Sequence, residues 1–147
     1  MAKLLGIAVR PPGREAMQLL ASGTVSPEAG LQGDKRSRPG RRQLTLMNLS
    51  DWHKACAEVN VELAWTTRRA NLLVDDLDLC ESTGATIQIG GILLEVTGET
   101  APCEKMEASC DGLFQALKPG WRGGVTCKVI KGGNFSCDDD VVLKRKV

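Results

Sequence analysis

The stretch ATIQIGGILLEVTG, Ala85 to Gly98, decides the fold class. Ile87 and Ile89 alternate with Thr86 and Gln88, Gly90-Gly91 supplies a two-residue turn, and Ile92, Leu94 and Val96 alternate again. That pattern predicts a β-hairpin with one apolar face. Working outward, the same period recurs. KLLGIAV (Lys3 to Val9) reads as a strand stopped by Pro11 and Pro12, and NLLV (Asn71 to Val74) as a short one. In RQLTLM (Arg42 to Met47), Leu44 and Leu46 point one way, Gln43 and Thr45 the other. VTCKVIKGGNFSCDDDVVL (Val125 to Leu143) predicts a second hairpin turning at Gly132-Gly133-Asn134. In it Cys127 shares a face with Val125 and Val129, and Cys137 stands exposed beside an acidic turn. Gly23 to Asp34 reads as loop.

The best helix follows Ser50, which takes the N-cap position before Asp51, with Trp52, Ala55, Cys56 and Val59 at helical spacing and Asn60 closing it. Cys56 then belongs to the apolar stripe, and His53 lies one residue off it. Short strands, glycine turns and one or two short helices predict a mainly β chain, a closed or nearly closed barrel, in a single domain over 1–147.

Composition removes several functions. Aromatic residues are 3% and tyrosine is absent, so a stacking platform for nucleic acid has nothing to be built from. The formal charge of +1 gives no bulk field toward DNA or membranes. No run approaches the roughly 20 apolar residues of a membrane span, and the amino terminus lacks the features of a secretory signal. A cytoplasmic protein with no nucleic-acid or membrane partner is expected. Six cysteines without a C-x-x-C, and a single histidine, predict reduced thiols and no structural zinc.

Among those thiols Cys103 stands out, in VTGETAPCEKMEA (Val96 to Ala108). Pro102 favours a first helical turn, so the sulfur is expected at a helix N-terminus, where free N–H groups stabilise a thiolate. Lys105 helps; Glu104 and Glu107 oppose it. The plain alternative is a half-buried cysteine filling a gap. Cys110, seven residues on, is near enough in sequence to resolve a modified Cys103. A basic set surrounds Gly40, comprising Lys35, Arg36, Arg38, Arg41 and Arg42, and Arg68-Arg69 precede Asn71. Guanidinium groups beside glycine suit a small anionic ligand such as a phosphate; the alternative is a solvated charge run. Arg122 in WRGGV either joins them, with two glycines admitting a ligand to the backbone, or marks an ordinary turn.

Taken in order, GLQGD (Gly30 to Asp34), RQLTLM, RRANLLV (Arg68 to Val74), DLCESTGATIQIGGILLEVTGETAPC (Asp78 to Cys103) and WRGGVTCKVIKGGNFSCDDDVVL (Trp121 to Leu143) resemble the MOSC family, named for the C-terminal part of molybdenum-cofactor sulfurases. The resemblance implies that family's β-barrel and makes Cys103 both the catalytic thiol and the ligand to a metal. It sets Arg69 and Asn71 at the family's Arg-x-Asn, near the pterin phosphate. Lys35, Arg36, Arg42 and Arg122 complete the expected cofactor-binding set. The implied cofactor is the molybdenum cofactor; no lysine here has surroundings that argue for pyridoxal phosphate. Three functions are open: a sulfur carrier or cofactor-binding domain, a molybdenum-dependent reductase of N-hydroxylated compounds, and a binding module with an idle cysteine. The sulfur donor, of the cysteine desulfurase class, or an electron-donor protein is expected as a separate partner. One departure concerns Asp138-Asp139, where the family carries Gly-Asp.

Overall fold

The computed structural model describes residues 2–13, 16–35, 38–100, 106–107 and 110–145. Its elements run β1 (Ala2–Val9), β2 (Gln18–Leu20), β3 (Ser22–Ser26), β4 (Gly30–Leu31), β5 (Leu44–Asn48), α1 (Leu49–Glu58), a 3-10 turn (Trp65–Arg68), β6 (Leu72–Val74), β7 (Thr86–Ile89), β8 (Ile92–Glu99), α2 (Leu113–Ala116), a second 3-10 turn (Pro119–Trp121), β9 (Val125–Lys131), β10 (Gly133–Ser136) and β11 (Asp140–Lys144). Seven strands close into a barrel in the order β11, β7, β8, β9, β5, β6, β1, with β1 returning to β11 and β2 hanging from β1. Closure removes the free edges that a β-sheet otherwise exposes.

The hairpin of β7 and β8 forms in the expected register, Ile89 opposite Ile92, with Gly90 at φ 54°. Ile87, Ile89, Ile92, Leu94 and Val96 all point into the barrel core together with Leu4, Leu44, Leu46, Val125, Cys127 and Val129. The remaining ladder pairs are antiparallel except β5 with β6. A parallel pair needs a crossover, and α1 with the first 3-10 turn provides it. From that crossover Trp52, Ala55 and Cys56 pack into a second core with Met47, Leu73, Met106 and Leu113. No helix among the described residues is long and apolar enough to cross a membrane.

Four expectations change. The second hairpin does not form: β9 pairs with β5 and β8, while β10 leaves the barrel and pairs with β3. Gly132 makes the departure by letting the chain graze β3, since a Cβ there would lie 2.5 Å from the Val25 carbonyl. Consequently Gly23 to Asp34 is not plain loop; it holds most of β3 and all of β4, which join β10 in a separate three-stranded sheet. The helix starts earlier than Ser50. Asn48 takes the cap position, and its side chain bridges Asp51 (3.0 Å) and the backbone of Leu77 (2.7 and 2.9 Å), tying the helix start to the turn after β6. Cys137 is half-buried against the barrel core, its thiol donating to the Leu20 carbonyl at 3.7 Å. Asp138 does adopt the glycine-like conformation, at φ 75°.

Candidate functional site

The 3-10 turn before β6 ends on two arginines whose fates differ. Arg68 is buried and Arg69 exposed, because Arg69 takes the left-handed conformation (φ 64°) that turns the chain back into the barrel wall. Two residues on, Asn71 is buried with its amide fully engaged. Its Oδ1 accepts from the Thr45 amide (3.0 Å), and its Nδ2 donates to the Ala8 carbonyl (3.1 Å) and to Asp34 Oδ1 (3.2 Å). Asp34 follows Gly33, at φ 90°, and also accepts from the Arg10 amide at 2.9 Å. These hydrogen bonds lace β1, β5, β6 and the basic loop at one rim of the barrel.

Arg10, Met17, Asp34, Arg69 and Asn71 line a cleft of about 10 Å³, room for roughly one water. Arg69 and Asn71, paired by the sequence, are therefore together, and they have a buried carboxylate between them and β1. Lys35 continues from Asp34 with an exposed side chain, while its amide donates to the Arg10 carbonyl at 2.7 Å. Arg42 is exposed on the same basic loop, whose base is held by Gln43: buried, it donates to the carbonyls of Pro27 (2.8 Å) and Arg38 (3.1 Å). Arg36 lies outside the described residues. Arg122 is engaged elsewhere, on the helical side, donating to Glu58 at 2.6 Å and to the Ala116 carbonyl at 2.9 Å.

Cys103 and Pro102 also lie outside the described residues, and so does the helix start expected there. The flanks are described. On one side Thr100, buried, donates its amide to Gly124 O (2.9 Å) and accepts at its carbonyl from Arg68 Nη2 (2.9 Å). Its Oγ1 is buried without a hydrogen-bond partner among the described residues. On the other side Met106 is buried in the helical core. Gly123 and Gly124 of the WRGGV motif admit backbone closely, but the backbone is the protein's own. A Cβ on Gly123 would stand 2.5 Å from the Thr100 carbonyl, and one on Gly124 would collide with the Leu46 carbonyl of β5.

The other thiols are less suited to chemistry. Burial pushes Cys127 up to about 12 and raises Cys56 and Cys137 above the usual thiol range, because a dry site disfavours thiolate. Cys110 is half-buried beside α2, its thiol donating to the Asp111 carbonyl at 3.7 Å. Among the described residues no cluster of three metal-ligating side chains exists. A concavity of about 920 Å³ follows the end of α1 and residues 61–64; its lining includes His53, Cys56 and Glu62, and none of the described anion-site candidates lines it. Sequence reasoning missed Arg10, Met17, Asp34 and Thr100. It also grouped Arg68 with Arg69, as an anion-binding pair or a solvated run, whereas the structure buries Arg68 and leaves Arg69 exposed.

Comparison with known proteins places this geometry. In fold, the chain is similar to the YuaD protein of Bacillus subtilis (TM-score 0.79, 18% identity, covering 100% of this chain and 98% of that one). It is similar to YiiM of Escherichia coli (0.72, 20%, 99% and 71%) and YiiM of Geobacillus stearothermophilus (0.76, 15%, 98% and 75%). No curated protein matches the sequence significantly. The model of the MOSC domain matches residues 31–142, a span that takes in Asp34, Arg69, Asn71, Cys103 and the two glycines of WRGGV. The chain belongs to the MOSC domain family.

Proposed function

We propose that this domain carries sulfur, or binds the molybdenum cofactor, through the thiolate of Cys103, with Arg69, Lys35 and Arg42 holding an anionic group. The family is associated with molybdenum-cofactor binding and sulfur-related functions. The observation that supports Cys103 most is the treatment of its flank: a buried guanidinium and two glycines fix the chain three residues before it. Burial raises the thiols of Cys56, Cys127 and Cys137 above the usual range, which disfavours a thiolate at each of them.

As a carrier, Cys103 thiolate attacks the outer, sulfane sulfur of a donor persulfide, R–S–SH. A new S–S bond forms to Cys103, the donor S–S bond breaks, and the donor leaves as its thiolate. No net oxidation occurs, so no further reactant is needed. The donor is a separate cytoplasmic protein of the cysteine desulfurase class in this reading.

The cofactor fits the rim better than the cleft. The cleft has space for about one water and contains the Asp34 carboxylate, which repels a phosphate. Arg69, at the cleft's lining, and Lys35 and Arg42, exposed on the basic loop, carry the right charge, and a thiolate is a soft ligand of the kind molybdenum takes. Asn71 then acts by shaping the rim, its own amide being engaged. This reading leaves Arg122 out of the anion site, its guanidinium donating to Glu58 and the Ala116 carbonyl. When bound, the group supplies a redox-active metal centre. Metal analysis of protein made in a host that produces the cofactor tests this: stoichiometric molybdenum, lost in Cys103→Ala and weakened in Arg69→Ala, supports binding. Metal-free protein leaves the carrier reading, and unaltered metal content in Cys103→Ala removes the thiol from the site.

A further inference from the structure

Arg38 and Arg41 have no role in the function proposed above, yet their backbone is fixed by groups on the barrel wall. Gln43, 2% exposed, donates through Nε2 to the carbonyls of Pro27 (2.8 Å) and Arg38 (3.1 Å), and its Oε1 accepts from the Val129 amide of β9 at 2.8 Å. Its own amide donates to the Cys127 carbonyl at 3.0 Å. From β8 the Thr97 hydroxyl donates to the Arg41 carbonyl at 2.7 Å, with Thr126 Oγ1 at 2.8 Å from the same hydroxyl. A buried amide with both hydrogens and its oxygen engaged holds its neighbours in one arrangement. Between the two anchors the chain stands clear of the barrel: at Gly40, φ 135°, an added Cβ would meet no atom within 4 Å.

The side chains on this fixed backbone carry charge with no local counterpart. Lys3, Arg122, Lys128 and Arg145 each meet a carboxylate. Arg38, Arg41 and Arg42 are exposed and meet none among the described residues. The whole chain has a formal charge of only +1, so the excess is local. Directly after Val129, which holds Gln43, β9 ends on Ile130, 44% exposed, and on exposed Lys131. Guanidinium forks on a set backbone match carboxylates two oxygens at a time, and an exposed isoleucine near them offers apolar contact. No residue from 38 to 43 is aromatic, so a nucleic-acid base finds no ring there to stack on. We propose that Arg38, Arg41 and Arg42, together with Ile130 and Lys131, form a docking face for an acidic segment of a partner protein. Gln43 and Thr97 are its positioning residues, because a backbone already in place leaves less to be ordered on binding. The face shares Arg42 with the anion site proposed above and is independent of the chemistry at Cys103.

The test titrates the full chain into a labelled Glu-Glu-Leu repeat peptide at low salt and reads fluorescence anisotropy. Saturable binding that weakens as salt screens the charges is expected. Arg38→Gln and Arg41→Gln should each lower the affinity about 5- to 10-fold. Ile130→Ser should lower it for this peptide and not for polyglutamate. Thr97→Val keeps every charge, so a loss of about threefold with the salt dependence unchanged reports position alone. Gln43→Met should repeat that pattern; if it fails to fold, Thr97→Val decides. Arg69→Ala should weaken inorganic phosphate and leave the peptide at wild-type affinity, which separates this face from the cleft. Wild-type protein that binds the peptide but no phosphate sinks the anion site and supports the face. Peptide affinity falling as far in Arg69→Ala as in Arg41→Gln merges the two and overturns the proposal. Wild-type affinity in both Arg38→Gln and Arg41→Gln overturns it as well, and so does an oligonucleotide that displaces the peptide through the same arginines. Wild-type affinity in Thr97→Val removes the positioning claim.

Discussion

Asn71 Nδ2 donates to Asp34 Oδ1 at 3.2 Å, and through that bond the residue before β6 and the Gly33-Asp34 turn after β4 share one buried polar knot. Asn71→Ala strands the Thr45 amide, the Ala8 carbonyl and Asp34 together. A destabilisation of about 2–4 kcal/mol is expected from losing several buried partners at once, read by urea denaturation. Asn71→Asp sets a second carboxylate beside Asp34, and like charges raise a carboxylate above its ordinary range. Its stability should be highest at low pH and fall as pH rises through that raised value. A variant as stable as wild type at pH 7 contradicts the structural role given to Asn71.

Arg69 and Arg122 should separate cleanly. Arg69 is exposed at the cleft, so Arg69→Ala is expected to weaken binding of inorganic phosphate about tenfold, on the order of 1.5 kcal/mol, and to leave the melting temperature nearly unchanged. Arg122→Ala loses the bonds to Glu58 and Ala116 and should cost about 1 kcal/mol of stability without altering phosphate affinity. Calorimetric titration at low salt measures both. Equal losses of affinity in the two variants would return Arg122 to the anion site.

Cys127 makes stability depend on alkaline pH. Its folded value is about 12 against an ordinary 9.0, so both states hold the proton below pH 9 and the group has no effect there. Above pH 9 the unfolded chain ionises and the folded one does not. Stability should then fall by about 1.4 kcal/mol per pH unit until the folded thiol also titrates. Cys56 and Cys137, raised in the same direction, add to the fall. Cys127→Val should flatten the slope between pH 9 and 11; parallel curves for the two proteins would refute the assignment.

Asp138 occupies a left-handed position, φ 75°, in the turn into β11. Leu4 holds this turn in register: its carbonyl accepts from the Asp138 amide (2.8 Å) and its amide donates to the Asp139 carbonyl (3.0 Å). Glycine accepts this conformation without the side-chain clash, so Asp138→Gly is expected to raise stability by about 0.5–1 kcal/mol. Asp139→Gly should do the reverse, because Asp139 Oδ2 accepts from the Ser136 amide at 2.8 Å.

The barrel was legible because period-two alternation survives wherever one face is buried, as in Ile87, Ile89, Ile92, Leu94 and Val96. It failed at β10, where Gly-Gly-Asn has the composition of a hairpin turn and the partner strand lies more than a hundred residues earlier. Pairing with β3 is a long-range event that leaves no local mark. The helix cap was misplaced because Asn48 and Ser50 are both good caps; the choice fell to the bonds Asn48 makes with Leu77, across the crossover. At the site, Arg69 and Asn71 were found through their family motif. Arg68 was named only as the neighbour of Arg69 and Asp34 was not singled out, since a buried charge looks like a surface charge until the group that receives its hydrogen bond is known.

The account turns on one thiol. Incubating the protein with a cysteine desulfurase and cysteine, then mapping added sulfur peptide by peptide, tests it most directly. One sulfur atom on the Cys103 peptide, absent in Cys103→Ser and transferable to an acceptor thiol, is the predicted result. Sulfur found on Cys80 or Cys110 with Cys103 unmodified, or on no cysteine in a protein that also binds no molybdenum through Cys103, would contradict it.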